Sequence, residues 1–289
     1  MKWAKLCAAV VFVLVIVGLV VKEYQKSQVV GHGKYRFNLA LINPGSGVNF
    51  VSFDPTEKSI LAIIFPSDMA ITSRTSGEYA ISALYKLGSY KGNGGMFARQ
   101  KMQGFMRVPI PGYIVSSGGL RLSLIKALFG TSETSLSKLD LIVLLYDSGR
   151  YKYKEIGKEE LARANVIDNG KYKPERLQEF VGSRLFDWGI GAESIAVSII
   201  NASGENGLGS DMADFLSNLG MDVVMVRSVD DSQILADTQW QVDNKELSQK
   251  LNYIFENLFE FEEPKIEPIG GEYRSQVLIK VGSDAKDLF

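Results

Sequence analysis

Four residues in the basic part of this chain are of types that could handle phosphate chemistry. Arg74, Arg99 and Arg107 could form a basic face toward phosphate groups, because a guanidinium fork meets two phosphate oxygens at once. The alternative is that they are solvated surface arginines. Asp68 is the acidic candidate; it follows Pro66-Ser67 at the end of an apolar run and could equally serve as a turn residue. A pyrophosphate in a transfer reaction needs several arginines or metal charges around it, and Asp68 alone makes no metal site. Asp230-Asp231 and Glu262-Glu263 lack ligand spacing and read as solvated acidic loops. A single cysteine excludes a disulfide framework, a zinc finger or an iron–sulfur cluster. A single histidine, His32, excludes a multi-histidine metal site, and its Gly-His-Gly setting reads as a solvated loop.

The other constellation is glycine-rich. Asn201, Gly204, Gly207 and Gly209 follow an apolar strand and precede a helix, as a nucleotide-binding loop would. The spacing is G-x-x-G-x-G rather than G-x-G-x-x-G, and no Gly-Lys-Ser/Thr follows. The expectation is therefore a tight structural turn, with Ser210 capping the helix and Asp211 favourable at its positive end.

These residues must be positioned by an α/β chain of 289 residues, enough for about two domains. Phe37–Ile42, Val48–Phe53 and Ser59–Phe65 read as strands joined by turns. Helices are expected around Ile81–Leu87, Met96–Met106 (with Arg99 and Lys101 on its exposed side) and Leu120–Phe129. Leu139–Tyr146 reads as a buried strand, residues 147–175 as turn-rich, and Arg176–Trp188 as a helix. Gly189–Gly191 is a candidate domain boundary. Beyond it come a strand at Ser194–Ile200, a helix at Ser210–Leu219, a strand at Asp222–Val226, a helix at Leu247–Leu258 and a last strand at Ser275–Val281.

Charge is divided unevenly. Residues 1–36 and 37–130 each carry +5, residues 131–192 carry 0, and residues 193–289 carry −11. No Lys/Arg stripe has the density of a phosphate-tracking surface, so nucleic acid is excluded as a partner.

The N-terminus bears on location. Leu6–Val21 (LCAAVVFVLVIVGLVV) holds no charge or proline, and with Trp3 and Ala4 it approaches the roughly 20 residues that cross a bilayer as a helix. Lys2 and Lys5 would keep the N-terminus in the cytoplasm and the rest of the chain outside. No small-x-small cleavage site follows Val21, which favours an anchor over a cleaved signal peptide, and Cys7 has no lipobox before it.

Ile195–Leu208 (IAVSIINASGENGL), with Ala213, Leu216, Gly220 and Val223 and the closing Val277–Asp284, resembles the C-terminal domain of LytR-type proteins. The resemblance covers about residues 193–285 and implies an extracytoplasmic α/β module of the cell envelope, without catalytic residues. Val51-Ser-Phe-Asp54-Pro55, Ile64–Met69, Ala83–Gly88, Gly95 and Val108–Val115 are similar to motifs of the LytR–CpsA–Psr catalytic domain, over about residues 37–117. That resemblance implies magnesium, an acidic residue and arginines acting on a polyprenyl-pyrophosphate-linked polymer. Here Ser67 stands where the family has arginine, Gly45-Ser46-Gly47 replaces its Asp-Thr, and its later arginine-rich block has no counterpart.

The expected fold class is α/β (mixed α+β): an N-terminal transmembrane helix followed by two small α/β sandwich domains. The expected order is a cytoplasmic tip (1–5), anchor (6–21), stalk (22–36), degenerate LytR–CpsA–Psr-like domain (37–192) and LytR C-terminal-like domain (193–289). The expected function is a single-pass, extracytoplasmic, non-catalytic binding or scaffolding module in cell-wall biogenesis, without a cofactor. Its partners would be cell-envelope components or anionic or polyprenyl-phosphate lipid. The alternative is a divergent magnesium-dependent phosphotransferase using Asp68, Arg74 and Arg99.

Overall fold

The computed structural model describes residues 18, 21–24, 27–29, 35–73, 77–168, 171–229, 233–259 and 262–289. The expected span 6–21 falls outside them apart from residues 18 and 21, as do Cys7, His32, Arg74 and Asp230-Asp231. Among the described residues, no helix is long and apolar enough to cross a membrane.

The first sheet is built on a meander: β1 (Phe37–Asn43), β2 (Gly47–Asp54) and β3 (Ser59–Ile63), paired antiparallel. β6 (Gly112–Val115) joins β1 in parallel and β8 (Lys152–Ile156) joins β3 in parallel, while the short β7 (Glu133–Thr134) closes the far edge. The order is β7-β6-β1-β2-β3-β8. Both faces of this sheet are buried, because alternate residues of each strand are apolar on both sides. Ala40, Ile42, Val48, Phe50 and Ile63 face one core; Leu39, Leu41, Val51, Phe53 and Ile60 face the other.

The first core is covered by α1 (Leu84–Ser89), α2 (Gly94–Met106), α5 (Lys158–Arg163) and α6 (Pro174–Leu185). Two small hairpins, β4–β5 (Ala70–Ser73, Gly77–Ala80) and β9–β10 (Ile167–Asp168, Lys171–Tyr172), lie at its margin. The second core is covered by α3 (Leu120–Leu128) and α4 (Lys138–Ser148).

α4 corrects the reading of Leu139–Tyr146 as a strand. A short apolar run does not distinguish a buried strand from a helix. The decisive signal precedes it: the Ser137 side chain accepts from the Asp140 backbone N–H at 3.1 Å, and Asp140 accepts from the Ser137 N–H, a reciprocal cap that starts a helix. The turn-rich stretch 147–175 likewise holds β8, α5 and the β9–β10 hairpin.

After α7 (Trp188–Gly191), at the candidate boundary, a second sheet runs β12-β11-β15-β13-β14. Its members are β11 (Ala196–Asn201), β12 (Asp222–Ser228), β13 (Gln239–Val242), β14 (Lys265–Ile266) and β15 (Val277–Val281). α8 (Leu208–Asn218) and α9 (Lys245–Phe259) pack on one face, around Val197, Ile199, Met212, Phe215, Trp240, Leu251 and Ile279. Among the described residues the chain is thus α/β with two large helix-covered sheets, the first with a core on each face and the second with its own.

Residues of the expected stalk lie against the fold. Ser27 Oγ donates to Asp140 Oδ1 at 2.6 Å and the Val29 N–H donates to the same oxygen at 3.0 Å. The Arg36 N–H donates to Asp187 Oδ2 at 2.7 Å, and the Arg36 guanidinium forms a buried ion pair with Asp54.

Candidate functional site

α2 carries Arg99, ends at Arg107 and links two of the molecule's polar clusters. At its start, glycines permit close packing: a Cβ on Gly95 would sit 2.1 Å from the Tyr113 ring and 2.6 Å from Glu133 Oε1. Tyr113 donates its hydroxyl to Glu133 Oε1 at 3.1 Å, and Tyr85 donates to Glu133 Oε2 at 3.2 Å. Burial and the Glu133 charge push the Tyr113 phenol up to about 12, and the same two causes raise Tyr85. One carboxylate bridged by two phenols is a stable hydrogen-bonded arrangement, and phenols held this firmly protonated are poor bases. The chain reading did not find this cluster; Gly94-Gly95 was the one local sign of a tight approach.

Arg99 lies inside, not on the exposed side of α2 as expected. Its Nη1 donates to the Ile110 carbonyl at 2.8 Å, its Nη2 to Met96 Sδ at 3.3 Å. The reason is the segment Val108-Pro109-Ile110-Pro111, which is buried and irregular and whose prolines bring no N–H of their own. Side chains supply its partners: Gln103 Oε1 accepts from the Ile110 N–H at 3.0 Å, and Asn38 Nδ2 donates to the Pro109 carbonyl at 2.8 Å. Arg99 belongs to this brace.

Arg107 ends α2 in a left-handed conformation, φ 49°. Its Nη2 meets Asp211 Oδ1 at 2.5 Å and its Nη1 pairs with Asp214, both on α8. Its carbonyl accepts from Asn218 Nδ2 at 2.9 Å, and the same amide donates to Gln178 Oε1 at 3.2 Å. Burial raises the Asp214 carboxyl above the ordinary carboxylate value, with Arg107 pulling it back down and Asp211 pushing it up. One guanidinium between two carboxylates leaves the locality at about −1, which repels rather than attracts a phosphate. Beside the triad a cleft of about 230 Å³ opens between the two sheets' helices, lined by Phe105, Tyr172, Leu177, Gln178 and Phe289. Thr72, Gly104, Arg107 and Asp211 complete its lining, which is mixed polar and apolar.

Asp68 sits in the exposed turn between β3 and β4. Among the described residues no group of three His, Cys, Asp or Glu side chains is placed to hold a metal ion, so Asp68 offers magnesium a single carboxylate.

The glycine turn is braced from within. Asn201 Oδ1 accepts from the Ser203 hydroxyl at 2.6 Å, and Asn201 Nδ2 donates to the Glu205 carbonyl at 2.9 Å. Gly204 and Gly207 take φ of 75° and 81°, open to glycine without strain. A Cβ on Gly209 would lie 2.9 Å from that of Asn201, so the helix starts hard against the strand end. The cap of α8 is Gly207 rather than Ser210: the left-handed glycine turns the chain early, and Ser210 falls inside the first turn. Asp211 is in that first turn, but its charge is spent on Arg107.

Residues 194–257 match the family described as "LytR cell envelope-related transcriptional attenuator". This is the stretch whose residues carry the LytR resemblance. Among curated proteins there is no significant match. Among solved structures, TagT of B. subtilis is similar at 12% identity and TM-score 0.38, over 52% of this chain and 89% of that one. A LytR-CPS2A-psr family protein, YwtF (TagT), with bound octaprenyl pyrophosphate lipid, is 13% identical at TM-score 0.37, over 51% and 88% of the two chains. TagV of B. subtilis is 11% identical at TM-score 0.35, over 50% and 94%.

Proposed function

We propose that this chain, whose residues 194–257 carry the LytR C-terminal module, is a single-pass membrane-anchored protein of the cell envelope that binds or scaffolds wall components without catalysing transfer. The observation that carries the reading is Arg107: its guanidinium is engaged by Asp211 and Asp214 within the chain. Arg99 is drawn inside to hold the proline segment, and Asp68 stands in an exposed turn. A pyrophosphate in transfer needs charges that converge and are still available to it. The apolar run at Leu6–Val21 supports the anchored, outward-facing part of the reading.

The test uses the full chain in detergent or nanodiscs, supplied with a polyprenyl-pyrophosphate-linked glycan, magnesium and purified wall sacculi. The chain is expected to co-sediment with sacculi and to release no polyprenyl monophosphate, the carrier left when the polymer is transferred with one phosphate. Release of the carrier would replace this reading by the phosphotransferase one. Failure to co-sediment would remove the wall-binding role.

A further inference from the structure

Apolar side chains are normally turned inward on helices that cover a sheet, and α3 and α4 obey this on one side only. Leu124 and Leu141 are 0% exposed against the second core. On the opposite side of the same two helices stand Leu122, Ile125 and Phe129, spaced by three and four, with Ile142 and Tyr146 spaced by four. They are 49%, 39%, 77%, 52% and 60% exposed. These five are among thirteen large apolar side chains exposed in the described residues, gathered on one helix pair. Scattered apolar exposure is ordinary; a contiguous patch marks a contact surface.

The position of the chain's N-terminal part says what that surface meets. Asp140, in the first turn of α4 and fully buried, holds Ser27 Oγ at 2.6 Å and the Val29 N–H at 3.0 Å. Only residues 22–26 separate this point from Val21, the end of the apolar run. Five residues reach at most roughly 17 Å, and less where the chain is helical, as it is at 21–24. α4 itself is 11 residues long, or about 16 Å. The first turn of α4, just before Ile142 begins its share of the patch, is therefore tied by a short segment to the apolar run.

Its charges match a membrane surface. Arg121 and Lys126 lie on α3, and Arg150 stacks on the Tyr146 ring at 4.9 Å from its centroid. The carboxylates of α4 are Asp140, buried as the cap, and Asp147, half-buried. Cations beside exposed apolar and aromatic side chains are the pattern of a helix face that lies at a headgroup boundary.

We propose that the outer face of α3 and α4 rests on an anionic phospholipid bilayer beside the anchor, fixing the orientation of the folded part at the membrane. The proposal rests on the anchored reading of the chain. It concerns a different surface from the arginines of α2, which are engaged inside.

The experiment places a fluorophore on single cysteines of the full chain, rebuilt into phosphatidylglycerol–phosphatidylcholine vesicles containing nitroxide lipids. Native Cys7 reports the anchor. In a Cys7→Ser background, Leu122→Cys, Phe129→Cys and Ile142→Cys report the patch, and Val224→Cys, 44% exposed on β12, reports a surface away from it. The expected result is quenching of Cys7, which stands near the cytoplasmic end of the apolar run, and of all three patch labels by shallow nitroxides, at least about twofold above the 224 label. Patch labels quenched no more than 224, with Cys7 quenched, would overturn the docking and leave the anchor standing. An unquenched Cys7 would overturn the anchored reading itself and the docking with it. Patch labels that lipid leaves unquenched but that are shielded from aqueous iodide would assign the face to a protein partner, which also overturns the proposal.

Discussion

At the scale of single residues, the chemistry of this chain is spent internally. Arg107 serves two carboxylates and joins the end of α2 to α8; Asp211, the more deeply placed of the two, is buried. Arg107→Ala leaves that carboxylate buried and unpaired, an uncompensated charge in low dielectric. The expected loss is about 3 kcal/mol of unfolding free energy, measured by urea denaturation, and adding Asp211→Ala should restore part of it. An unchanged midpoint in Arg107→Ala would mean the pair is solvated. Asp187 carries a pH dependence. It accepts from the Arg36, Gly189 and Ile190 N–H groups, yet burial is the larger influence and raises its carboxyl above 3.8. A raised carboxyl binds its proton more tightly in the folded state, so stability falls as pH rises through the raised value and is greatest below 3.8. Relative to Asp187→Asn, whose amide does not titrate, the native chain should therefore gain stability on acidification. Parallel stability-against-pH curves for the two chains would contradict this.

At the scale of elements, α4 shows how one side chain can decide a segment's structure and its neighbours'. Asp140 closes the reciprocal cap with Ser137 and also holds Ser27, Gln28 and Val29. Asp140→Ala should cost about 2 kcal/mol, combining a lost cap with lost hydrogen bonds to a charged acceptor. In hydrogen exchange the amides of residues 27–29 should lose protection together with the first turn of α4. Loss confined to α4 would show that the N-terminal segment is held by other contacts.

At the scale of the molecule, the two sheets are tied by a small number of specific contacts. Among the described residues these include the Arg107 triad, Asn218 on the Arg107 carbonyl and on Gln178, and the Tyr35 hydroxyl on Glu193 at 3.2 Å. The C-terminus adds another: a Cβ on Gly104 would come within 2.6 Å of the Leu288 carbonyl, and Phe289 meets Phe215 edge-on at 6.1 Å. Both sheets are accordingly expected on one side of the membrane. Proteinase K added to intact spheroplasts should digest the chain beyond residue 36, and survival of residues 193–289 would reverse the proposed orientation.

Local pattern by itself determined a good part of this protein. The alternating runs of β1 and β2 and the apolar run of β3, the helix periods of α2, α3 and α6, and the glycine turn before α8 are set by near neighbours, and they were legible. So was the LytR-type stretch, since Asn201 braces its loop with partners two and four residues away. Only the tertiary structure decided where the arginines went. Arg99 turns inward because the proline segment that follows α2 folds back and needs donors, and Arg107 is engaged because α8, more than a hundred residues later, presents two carboxylates. The carboxylates that engage Arg107 are not signalled near it in the chain. The strand expected at Leu139–Tyr146 is a different case: its apolar residues suit either period, and the Ser137–Asp140 cap that decides for a helix is itself local. What settled it was a cap and a sheet face needing cover, while the residues left outside became a surface that only the packed helices could define.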